Sequence, residues 1–135
     1  MTGLCRVIGL SLLLFACQTR APGEGVSVPD PTTRLSALNA GLDEALLMWQ
    51  GAQSAQAQEI LEQTYTAHFE PVEASLVEQG VDVLQIEYAF GRLGYRMRRA
   101  PGTRKSDGEE VRALLDALTV DIEAAFDALP STPGG

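Results

Sequence analysis

His68-Phe69-Glu70-Pro71-Val72-Glu73 places two carboxylates three residues apart beside a proline, inside a run whose apolar residues otherwise keep a helical period. Ile86-Glu87-Tyr88-Ala89-Phe90 brings a third carboxylate on the next such run. Carboxylate oxygens are hard ligands, and several of them converging on one point suit iron, manganese or calcium rather than zinc in a thiolate cage. At 100° per residue, Glu59, Glu62, Thr66, Glu70 and Glu73 form one stripe on the flank of an apolar face. If the two runs are antiparallel neighbours, Glu73 and Glu87 can approach across the groove between them. The plainer reading of the same spacing is a row of solvated flanking glutamates, or glutamates paired with Arg92 or Arg96. His68 is the only histidine and falls near the edge of the apolar face, where a packed, hydrogen-bonded imidazole is a commoner role than metal ligation. The Glu-x-x-His pairs that a ferritin-like di-iron oxidase draws from two helices are absent. No serine or cysteine nucleophile stands near the histidine either, so the residues favour binding over catalysis.

The elements that must position these groups are helices. Leu35, Leu38, Leu42, Ala45, Leu46 and Trp49 keep i, i+3, i+4, i+7 spacing behind Thr32 or Thr33 as an N-cap, and Gly51 marks the stop. A second helix is expected from Ser54 to Gln79-Gly80, with Leu61, Tyr65, Phe69, Val72 and Leu76 inward. Pro71 lies inside it, removing one backbone donor and crowding the carbonyl four residues back, so it should kink near Phe69 to Pro71. Val83, Ile86, Phe90, Leu93 and Met97 predict a third helix capped by Asp82. A fourth, from Ser106 or Asp107, carries Val111, Leu114, Leu115, Leu118, Ile122, Ala125, Phe126 and Leu129, with Asp107, Glu109 and Glu110 in the first turn where the helix dipole favours negative charge. Short links between helices of similar length predict an all-α fold, an antiparallel up-down four-helix bundle over residues 33–129 with a kinked second helix.

Residues 1–16 have the pattern of an export signal: Arg6, then an apolar run from Val7 to Phe15 too short to span a bilayer, then Ala16. Leu14-Phe15-Ala16-Cys17 resembles the lipobox of bacterial lipoproteins, which implies acylation of Cys17, membrane attachment through the lipid, and a place in the cell envelope facing the periplasm. Gln18 in place of aspartate points by the same resemblance to the outer membrane. With Cys5 lost and Cys17 acylated, no disulfide is expected. Residues 17–32 are rich in proline and glycine and read as a tether, and residues 130–135 as an unstructured tail.

The net charge of -8 disfavours nucleic acid as a partner. Arg92, Arg96, Arg98, Arg99, Arg104 and Lys105 gather at the end of the third helix and in the loop after it. They read either as a solvated helix end or as a docking patch, led by Arg92, Arg96 and Arg99, for an acidic partner or lipid head groups.

Phe69-Glu70-Pro71-Val72-Glu73-Ala74-x-Leu76, followed by Ile86-Glu87-x-x-Phe90-Gly91-x-Leu93, resembles the extracytoplasmic helical domain of the bacterial high-affinity iron permease family. The resemblance implies that Glu70, Glu73 and Glu87, with His68 beside them, capture iron and hand it to a separate permease. The permease's own Arg-Glu-x-x-Glu motifs are missing from this chain, so transport by it alone is not implied. A metal-free envelope scaffold that docks a partner is the alternative.

Overall fold

The computed structural model describes residues 29–131, and every regular element among them is helical. The export signal, Cys17, most of the tether and the last four residues of the tail lie outside the described residues.

Helix α1 spans Pro31–Gln50. Its cap is Asp30, two residues ahead of the threonine expected from the sequence: the Asp30 carboxylate accepts the Thr33 amide at 2.9 Å, and Pro31 takes the first helical position, where its missing N–H costs nothing. The prolines that read as the end of a tether are thus the start of the first helix. Leu38, Leu42, Ala45, Leu46 and Trp49 are buried along it, and it closes at Gly51 as expected.

The second helical run is broken into four pieces. Helix α2 (Ser54–Thr64) passes into a π-helical turn at Tyr65–Phe69, then a 3-10 turn at Glu70–Val72, then helix α3 (Glu73–Glu78). The Glu70 amide donates to the Tyr65 carbonyl, five residues back, and the Glu73 amide to the Glu70 carbonyl, three back. The first turn is wider than an α-helix and the second tighter, so their phase errors oppose each other. Leu61, Phe69 and Leu76 consequently all stay buried on one side of a discontinuous backbone.

Pro71 accounts for the break. In a regular helix its ring would strike the Ala67 carbonyl, and it has no N–H to offer that oxygen. Here the Ala67 carbonyl accepts Nη1 of Arg34 at 3.0 Å, from the first turn of α1. Arg34 is buried for this purpose, 6% exposed, and sequence reasoning gave it no role.

Helix α4 (Val83–Met97) starts at Asp82, whose carboxylate accepts the Gln85 amide, and α5 spans Asp107–Asp127. Helix α4 buries the whole stripe its spacing predicts, and α5 buries its own except Leu114, which is half-buried, and Leu129, which is half-buried beyond the helix end. Helix α1 packs against α2 and α5, and α4 packs against α2, α3 and α5. Where Gly41 of α1 meets α2, an added Cβ would collide with the Thr64 side chain, so glycine is required there. The Trp49 indole N–H donates to the Arg99 carbonyl at 2.7 Å, tying the end of α1 to the end of α4. No helix of the described residues is long and apolar enough to cross a membrane.

Candidate functional site

The broken run and α4 meet in an aromatic cluster. Phe90 of α4 stands edge-on to Tyr65, with ring centroids 5.1 Å apart at 74°, and Phe69 lies 5.8 Å from Phe90 and 5.6 Å from Tyr65. Such tilted and T-shaped contacts suit the aromatic quadrupole and fix each ring's direction. Phe69 and Phe90 are buried, whereas Tyr65 is only half-buried and its hydroxyl reaches the groove.

That hydroxyl donates to Oε1 of Glu73. In an unbroken α-helix the two residues would be about 12 Å apart along the axis, more than two turns. The bond therefore straddles the whole π and 3-10 segment, closing it from the side-chain end as Arg34 closes it from the backbone end.

Tyr65 also registers the other carboxylates. Its phenol pKa is pushed well above the ordinary tyrosine value, first by burial, next by the hydrogen bond to Glu73, and then by the negative charges of Glu73, Glu87 and Glu70 in that order. Of the three glutamates singled out by spacing, Glu73 is bonded to the hydroxyl, while Glu87 and Glu70 act on it only through their fields. Among the described residues no three His, Cys, Asp or Glu side chains converge closely enough to hold a metal ion. His68, half-buried in the π-helical turn, is not among the groups that influence Tyr65.

The arginines expected to neutralise these glutamates are engaged elsewhere. Arg96 pairs with Glu110 of α5 at 2.6 Å, and both side chains are about a third exposed, so the bridge contributes at most about 1 kcal/mol. Arg92 lies over the ring of Tyr88 at 5.9 Å, and Arg98 over Tyr95 at the same distance. Arg99 is half-buried, and its backbone carbonyl holds Trp49. The site consequently has no cation of its own at hydrogen-bond range among the described residues.

Sequence reasoning placed Tyr65 in the core and so missed it as the hub. The available signal was a carboxylate eight residues downstream across a proline, a spacing that becomes meaningful only once the winding changes. No protein-family model, curated protein or solved structure matches this chain.

Proposed function

We propose that this chain is a lipid-anchored protein of the bacterial envelope, outer-membrane attached through Cys17, that takes up iron at the Tyr65 site and passes it to a separate permease. Its domain is an antiparallel up-down four-helix bundle. Support for that arrangement comes from contacts whose partners run in opposite directions. Gly41 meets Thr64 while Arg34 meets Ala67, and Tyr65 meets Phe90 while Leu61 meets Gly94. Arg96 meets Glu110, whereas Ile86 shares a cleft with Asp121 and Ala125.

The observation that carries the iron reading is the hydrogen bond from the Tyr65 hydroxyl to Glu73, with the negative charges of Glu87 and Glu70 near enough to help raise the phenol pKa. Phenol and carboxylate are both hard oxygen donors and match iron better than softer metals. A cation here is drawn by these negative charges and takes the phenol oxygen as a further donor in place of its bond to Glu73. Binding is expected to be weak, since the flank of the bundle leaves water on the ion and few side chains converge.

Calorimetric titration of the full chain with ferrous iron under anaerobic conditions, with manganese and calcium as controls, tests this. Saturable binding that is lost when Glu70, Glu73 and Glu87 are all changed to glutamine is the expected result. Absence of heat at millimolar metal overturns the iron reading. The second reading, a metal-free docking lipoprotein, is favoured by one observation: the arginine-capped tyrosines Tyr88 and Tyr95 on α4 are 68% and 59% exposed.

A further inference from the structure

Helix α4 carries two apolar seams. The buried one, Val83, Ile86, Phe90, Leu93 and Met97, steps by three and four residues and faces the core. The other, Leu84, Tyr88, Gly91 and Tyr95, with the charged Arg98 just past the helix end, steps four-three-four-three along the opposite side, which is the spacing of the a and d positions of a coiled coil. Leu84 is 72% exposed, the most of any large apolar residue described, and with Tyr88 and Tyr95 it supplies half of those that are exposed. Leu47, Val77 and Val120 are exposed singly on three other helices and need no explanation.

Gly91 sits in the middle of this outer seam. A mid-helix glycine is costly, and packing within the chain does not require it, for a Cβ there would meet nothing within 4 Å. Gly41 shows what an internally required glycine looks like in this molecule, with Thr64 pressed against it. At Gly91 the missing side chain opens a notch between Tyr88 and Tyr95, lined also by Arg92 and Arg96. A notch of that kind admits the close approach of another helix backbone.

The charges beside the seam identify the occupant. Numbering the seam as heptads puts Tyr88 and Tyr95 at a, Leu84, Gly91 and Arg98 at d, Glu87 at g and Arg92 at e of the following heptad. In a parallel pair, g of one helix faces e of the other five residues on, so Glu87 faces Arg92 of the second copy, twice by symmetry. An antiparallel pair sets e against e and g against g, so Glu87 and Arg92 would not meet across it. We propose that the chain self-associates through α4 as a parallel two-fold pair, with tyrosine on tyrosine, glycine on glycine, and two crossed Glu87–Arg92 ion pairs. Both copies then present the start of α1 at the same end, the orientation of two chains anchored to one membrane. The association does not depend on iron.

Sedimentation of the full chain in a density-matched detergent with EDTA present, over a range of concentrations, reads this directly. The natural chain is expected to show a reversible dimer. Glu87→Arg alone and Arg92→Glu alone each place like charges across the seam and should weaken association at least about tenfold. Mixed in equal amounts, the two variants form a heterodimer with both ion pairs reversed, and association should return. Tyr95→Glu, a change confined to the exposed seam, should leave the helical circular dichroism intact and the chain monomeric. A natural chain that stays monomeric at about 100 μM overturns the proposal. So does a mixture that associates no better than its components, or a Tyr95→Glu chain as dimeric as the original.

Discussion

The run from Ser54 to Glu78 and helix α5 solve the same packing problem with opposite means. Each spans the domain and buries one apolar side, Leu61, Phe69 and Leu76 in the first and Val111, Leu115, Leu118 and Ile122 in the second. Helix α5 is one continuous hydrogen-bonded cylinder and satisfies its own backbone. The other run gives up that independence at Pro71. It recovers a carbonyl through Arg34, a side chain thirty-three residues away, and a side-chain clasp through Tyr65 and Glu73. Local winding that depends on distant groups is stable only when the rest of the fold is in place. The same dependence brings the Tyr65 phenol onto the Glu73 carboxylate, which an unbroken helix at that position would not do.

The comparison is broken hardest at Phe69. Its ring has no exposed surface and joins the π-helical turn to α4, so Phe69→Ala should cost about 3–5 kcal/mol in urea unfolding. The loss should match or exceed that of Leu118→Ala in α5, at about 2–5 kcal/mol. A small effect at Phe69 would mean that the break is not anchored by the aromatic cluster.

Arg34→Ala sharpens the difference between the two runs. It leaves the Ala67 carbonyl without a donor and should cost about 1–3 kcal/mol. Hydrogen exchange should locate the damage, with amide protection falling from Tyr65 to Val72 and unchanged in α5. Equal loss in both runs would show that Arg34 supports the core generally rather than the break.

The smallest effect is read through pH. Tyr65 binds its proton more tightly in the folded chain than in the unfolded one. The stability this brings is fully present below the unfolded tyrosine pKa of about 10 and is lost as pH rises through the folded value. Tyr65→Phe should therefore flatten the alkaline fall in melting temperature above about pH 10, whereas α5 itself contains no tyrosine to titrate. An alkaline limb identical in the Tyr65→Phe chain would show that the clasp does not couple the hydroxyl to folding.

The helical composition of the domain, the inward stripes of α4 and α5, and the stops at Gly51 and Gln79-Gly80 were legible in the residues because each follows from local spacing and local caps. Pro71 likewise announced a break where one occurs. Its form was not legible, because a π-helical turn followed by a 3-10 turn is selected by what it lets Phe69 and Leu76 reach, and those partners lie on other helices. Asp30-Pro31 was misread as tether because proline serves a helix start and a linker equally well; only the accepted Thr33 amide distinguishes them. The glutamates could be named from their spacing, but the hydroxyl that donates to Glu73 could not, since eight residues is too far in any regular helix.

The bond from Trp49 to the Arg99 carbonyl turns the molecule into its own optical gauge. The chain has a single tryptophan, and its indole is 1% exposed with its N–H engaged across the join between α1 and α4. Emission from that indole belongs to one place, with no second chromophore of its kind to average over. Loosening at that end admits water to the ring and shifts the emission to the red, while far-ultraviolet dichroism continues to report the helices themselves. The order in which the two signals change on heating separates undocking of the α1 and α4 termini from melting of the helices, without adding any label.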